Sequence, residues 1–171
     1  MMRFIKLVSK CSVGFFVIMS LLLIAFFGYE THHDDTYNSP NEFLNSKSSS
    51  WYIHVFPASS HNIFVRTFVE TSEMIMIFEA NKKDEIPVSQ LYAIISSDKG
   101  RTILKNLNIS TFKKQSFLNR GELYCYFYQN KSPYLVSKYY SNHNDIVHYL
   151  FVSLGSQEAL EVCRWYFNWS Y

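Results

Sequence analysis

Residues 61–78 read HNIFVRTFVETSEMIMIF, and this stretch decides the fold class. From His61 to Glu70, Ile63, Val65, Thr67 and Val69 alternate with Asn62, Phe64, Arg66, Phe68 and Glu70. A period of two is that of a strand with one well-buried face. Met74–Phe78 is an unbroken apolar run, as in an interior strand covered on both sides. Thr71 and Ser72 make a short connection between the two runs, so a hairpin is expected.

On the N-terminal side, Trp51–Pro57 is apolar and aromatic and reads as a strand ended by its proline. Residues 30–50 (ETHHDDTYNSPNEFLNSKSSS) are polar apart from Phe43 and Leu44, and predict a flexible stalk. On the C-terminal side, Pro87 suits a first helical turn, and Val88, Leu91, Tyr92 and Ile95 share one helical face. Gly100 interrupts, and Ile103, Leu104 and Leu107 resume helical spacing, giving one broken helix or two short ones. Phe112–Leu118, Glu122–Gln129 and Tyr134–Tyr140 read as strands, with turns at Arg120-Gly121 and Lys131-Ser132-Pro133. Ile146–Leu154 fits strand or helix, and Ser156 suits the cap of a closing helix through Tyr166. The class expected is α+β, a mainly antiparallel sheet with a helical crossover and a C-terminal helix, preceded by one N-terminal transmembrane helix.

That N-terminal helix rests on residues 12–29, SVGFFVIMSLLLIAFFGY, eighteen residues without a charge. At about 1.5 Å per residue such a run just crosses a hydrocarbon core of about 30 Å. Arg3, Lys6 and Lys10 precede it, and Glu30, Asp34 and Asp35 follow it. The positive-inside bias keeps residues 1–11 in the cytoplasm and exports residues 51–171 as the folded domain. A cleaved signal peptide is the alternative. It would have a poor cleavage site, with Leu23 three positions before a cut after Ala25 and Phe26 before one after Gly28.

Beyond the anchor the chain carries 13 basic and 14 acidic residues, a balance unlike that of a nucleic-acid binder. The 171 residues, 48% of them hydrophobic, allow one folded domain and exclude wholesale disorder. Cys125 and Cys163 both lie in the exported part and are candidates for a disulfide, with two buried free thiols as the alternative. His32-His33-Asp34-Asp35 and His143-Asn144-Asp145 with His148 carry metal-ligand side chains. Neither has the HExxH or CxxC spacing of a zinc site, so no metal and no cofactor is expected. Exported histidines can report acid pH, because their free pKa lies near about 6.5.

Lys99, Arg101, Lys105, Lys113, Lys114 and Arg120 form a run of basic residues with no acid among them. It is a candidate patch for anionic lipid or an acidic partner, or else a solvated helix face. Trp165, Trp169 and Tyr171 are candidates for a partner-binding surface at the C-terminus. No nucleophile elbow, glycine-rich phosphate loop or S-x-x-K motif occurs, so no catalytic residue is assigned.

In length, in its apolar segment at residues 12–29 and in its exported Cys125 and Cys163, the chain resembles the small single-pass accessory proteins of bacterial membrane-bound transcription activators, of the ToxS, PsaF and MyfF type. The resemblance is one of architecture and assigns no residue a role. It implies a bacterial inner-membrane protein whose periplasmic domain binds and stabilises or tunes a neighbouring membrane regulator. A periplasmic immunity protein against a toxin, a small-ligand sensor and an unrecognised hydrolase are the alternatives.

Overall fold

Seven described strands, β1 (His32–Tyr37), β2 (His61–Phe68), β3 (Glu73–Asn81), β4 (Tyr92–Ala93), β5 (Glu122–Tyr126), β6 (Tyr134–Tyr140) and β7 (Ile146–Ser153), form one sheet in the order β1-β2-β3-β7-β6-β5-β4. Four α-helices among the described residues from 33 onward accompany it: α1 (Pro40–Leu44), α2 (Ser97–Asn106), α3 (Thr111–Arg120) and α4 (Ser156–Val162). The class is α+β with an antiparallel sheet, as expected. The computed structural model describes residues 17–20, 32–46, 49, 53–68, 73–128, 133–142 and 145–163.

The chain divides into two compact units, residues 1–32 and 33–171. In the first, residues 17–20 are helical, with Val17, Ile18 and Met19 exposed. The remainder of the expected transmembrane segment 12–29, and residues 1–11, lie outside the described residues. Among the described residues no helix is long and apolar enough to cross a membrane.

In the second unit β2 and β3 form the antiparallel pair read from residues 61–78, and Met74–Phe78 is buried on both faces. One face carries Ile75 and Ile77 of β3 and Leu150 and Val152 of β7, under Leu104 of α2, Phe117 of α3, and Ala159 and Val162 of α4. The other carries Met76, Phe78, Tyr149 and Phe151, under Phe43 of α1 and Ile53, Val55, Ile86 and Leu91. The first is the helix face and the second the loop face.

The structure differs from six of the expectations. Residues 30–50 do not form a stalk over their described length: His32–Tyr37 is the edge strand β1, and Phe43 is fully buried. Ser39 caps α1, its hydroxyl accepting from the Glu42 N–H at 3.2 Å. The apolar Phe43 is thereby delivered to the core from an otherwise polar segment. Residues 53–57 are irregular rather than a strand, although Ile53 and Val55 are buried.

The Val88–Ile95 segment is not a helix but a single 3-10 turn, Val88–Gln90, followed by β4. Geometry explains this. The chain must travel from β3 to β4 across β7, β6 and β5, four strand spacings in all. Four spacings are about 19 Å. Ten residues coiled as an α-helix reach only about 15 Å, so residues 82–91 form no α-helix and cross as two 3-10 turns, Lys82–Asp84 and Val88–Gln90, joined by extended chain. It is this segment that crosses the sheet, on the loop face. The helices α2 and α3 instead join β4 to its neighbour β5, so the expected helical crossover is a local connection.

Gly100 is not a helix break. It lies buried within α2, where an added Cβ would stand 3.1 Å from Leu123 Cδ1, so its lack of a side chain lets the helix approach β5. Finally, Phe112–Leu118 belongs to helix α3 rather than a strand. Gly121 ends that helix: its N–H bonds the Phe117 carbonyl at 2.9 Å, and an added Cβ would collide with that carbonyl and with the Ser137 hydroxyl.

Candidate functional site

With both sheet faces covered, polar and exposed apolar groups concentrate in four places. The first is a row of side chains across the helix face. The pairing register sets His61 opposite Glu79, Glu79 opposite His148, and His148 opposite Tyr139. A strict period of two from Ile63 and Val65 would put His61 on the loop face. A bulge between His61 and Phe64, with Asn62 in the left-handed region at φ 51°, moves it to the helix face.

The result is a carboxylate between two imidazoles. His61 Nε2 lies 3.3 Å from Glu79 Oε2, and His148 Nδ1 lies 3.5 Å from Oε1. Asn62 donates its amide to Oε2 at 3.0 Å. His148 stacks on Tyr139 with centroids 4.5 Å apart, and Tyr139 meets Phe117 of α3 edge-on. Burial holds His148 below the usual histidine pKa, aided by His61 and Arg120 and opposed by Glu79. Among the described residues no group of three His, Cys, Asp or Glu side chains is arranged to hold a metal ion.

The second place is on the loop face. Lys138, 3% exposed, sets its ammonium 3.4 Å from the Glu85 carboxylate and over the rings of Tyr124 and Tyr140. Tyr140 also donates its hydroxyl to Glu85, at 2.9 Å. The Ile86 N–H donates to the buried Tyr149 hydroxyl at 3.0 Å. Burial, then the Glu122 carboxylate, push the Tyr124 phenol up to about 12. These contacts fasten the crossing segment to the sheet. The sequence signal for Lys138 is a lone charge in YLVSKYY between apolar and aromatic residues, the setting of a paired, buried cation.

The third place is the basic run. Lys99 pairs with Glu161 at 2.6 Å, tying α2 to α4. Arg101 donates to the Leu118 carbonyl in the last turn of α3, at 2.5 Å. Lys114 donates to the Lys105 and Leu107 carbonyls at the end of α2, at 2.9 and 2.8 Å. Arg120 donates to the Asn142 side chain at 2.9 Å. Helix ends leave carbonyls without intrahelical partners, and cations there offset the dipole. Four of the six residues therefore have partners within the fold. Lys105 is exposed, and the Lys113 side chain lies outside the described residues.

The fourth is the β4 end of the sheet. Val88 is 63% exposed, Ile95 41% and Tyr92 36%, three large apolar side chains within eight residues. The Ile95 N–H donates to the Val162 carbonyl at 3.0 Å, which joins this segment to the end of α4. Cys163 follows directly and stands at disulfide-bonding distance from Cys125 of β5, with Cα atoms 6.0 Å apart. The pairing is as expected, and it ties the end of α4 to the penultimate strand of the sheet. Trp165, Trp169 and Tyr171, and His143, lie outside the described residues. Of the His32–Asp35 group, Asp34 is engaged by Arg66 through two bonds of 2.6 Å, and Asp35 lies 3.2 Å from His33. Compared with protein-family models, with curated proteins and with solved structures, the chain matches none.

Proposed function

We propose that this protein is a membrane-anchored interaction domain that binds and stabilises or tunes a partner membrane protein. Residues 12–29 act as a signal anchor in the bacterial inner membrane, with the N-terminus cytoplasmic and the sheet domain periplasmic. The partner is a one-pass transcription regulator of the kind served by ToxS-type accessory proteins.

The observation that carries this reading is the placing of apolar exposure. Both sheet faces are filled, whereas Val88, Tyr92 and Ile95 stay exposed at the β4 end. A short edge strand flanked by exposed apolar side chains suits strand addition by a partner. The aromatic residues Trp165, Trp169 and Tyr171 follow within eight residues of Cys163, which β5 holds beside that edge. Aromatic side chains of this kind dominate interface energetics.

The test is photocrosslinking of the full-length protein in its native membrane, from a probe placed at Val88 or Ile95, with mass spectrometry of the adduct. One stoichiometric membrane regulator is expected, and removal of residues 165–171 should abolish its capture. Capture of a toxin would replace the proposal with an immunity role. Absence of any specific adduct would overturn it.

A further inference from the structure

Two imidazoles share one carboxylate, and the hydrogen-bonding demands on the two rings differ. The other ring nitrogen of His61, Nδ1, lies 3.1 Å from the Ser59 carbonyl, which can only accept. Nδ1 must therefore carry a proton, and Nε2 faces Glu79 Oε2. The ring donates on both sides only when it holds its second proton. His61 thus completes its bonds by protonation. His148 is placed oppositely. It is half-buried on the flat of Tyr139, with Glu79 of β3 at 3.5 Å and His61 of β2 beyond that carboxylate, and the charge of Arg120 on α3 also disfavours its proton. A proton on His148 meets one anion, already engaged by His61 and Asn62, and two cations.

We infer that His61, Glu79 and His148 form an acid-sensitive latch that holds α3 against the sheet when His148 is neutral and loosens it on acidification. The movable element is α3, which bears both Phe117, packed on Tyr139 at 4.9 Å, and Arg120, whose charge disfavours a proton on His148. Tyr139 ionises only above the usual phenol value, because burial outweighs its bond from Ser116, so it stays neutral throughout this range. The charge on which the latch turns is that of His148. The latch needs only the helix-face geometry and is independent of the anchor and of any partner.

Hydrogen exchange of the full-length chain in lipid nanodiscs, read by mass spectrometry at about pH 7.5 and about pH 5, tests it. The same spectra follow exchange at the carbon between the ring nitrogens of each histidine, which reports its titration. His148 should titrate below the ordinary histidine value. Protection of peptides from α3 should fall at least about threefold on acidification, beyond the chemical pH dependence of exchange, while β3 and β7 keep theirs. His148→Phe keeps the stack on Tyr139 and should abolish the fall. Titration of His148 at or above the ordinary value, or an equal fall in His148→Phe, would overturn the latch. If that variant does not fold, the wild-type titration and the α3 protection decide the matter between them.

Discussion

On the helix face Leu104, Phe117, Ala159 and Val162 arrive on three regular helices, and Cys163 is joined to Cys125. On the loop face Phe43 arrives on a five-residue helix, and Ile53, Val55, Ile86 and Leu91 on chain outside any helix or strand. A helix satisfies its own backbone except at its ends, and here Arg101 and Lys114 supply partners for those ends. Irregular chain has no such economy and must find partners residue by residue. On the loop face the Glu85 N–H bonds the Lys82 carbonyl and the Ile86 N–H bonds the Tyr149 hydroxyl, while Lys138 and Tyr140 hold the Glu85 carboxylate. One cover is tied down covalently and by helix capping, the other by aromatic packing and a buried charge.

The comparison breaks most sharply at Phe43. Phe43→Ala should cost about 3–5 kcal/mol in denaturant unfolding and expose the loop face first. A stalk residue would show no loss at all. Next comes Cys125→Ala with Cys163→Ala. A loop closed over a separation of 38 residues is worth about 4 kcal/mol in the chain-entropy picture. Hydrogen exchange should quicken in α2 and α4 and leave residues 53–57 unchanged.

A smaller effect, about 2 kcal/mol, is expected for Glu85→Ala, which leaves the Lys138 cation buried without its carboxylate. Thermal melting of the double variant with Lys138→Met should recover most of that loss. No recovery would mean that Glu85 acts through Tyr140 and not through the lysine. The smallest effect is a slope. Because His148 is held below the ordinary value of 6.5 in the fold, the unfolded chain takes up its proton first. Stability contributed by neutral His148 is therefore full above about pH 6.5 and is lost as pH falls from there through the folded-state value. Denaturant midpoints measured across that window should flatten in His148→Phe.

How far the sequence could be read differs between the two faces. The β2–β3 pair, β6 and the cysteine pairing were legible, because alternation and apolar runs report burial along a single strand. The sequence predicts a strand where α3 forms, because its aromatic and β-rich surroundings outweigh the helix-forming Lys113-Lys114-Gln115 and the ending Gly121. Val88, Leu91, Tyr92 and Ile95 carry a helical spacing that the fold ignores. Only Leu91 of the four is buried, since the span to the far edge is too long for a helix. The burial of Phe43 and Lys138 was hidden because each lies in a segment whose average polarity points the other way.

The candidate rows fared similarly. His148 and the basic run were visible as residues, but not their partners Glu79, Glu161, Leu118 and Asn142, which lie up to 69 positions away for the His148–Glu79 pair. An α+β chain with one apolar N-terminal run, at least three of the strands and two cysteines suited to bond can be read from residue order alone. Tertiary structure alone decided the strand order, the crossing on the loop face and the bulge at Asn62 that turns His61 toward Glu79. The physical reason is one of range. Periodicity is written residue by residue along one element. Register between strands is fixed only when the whole sheet pairs, and a single extra residue then changes which face a side chain meets.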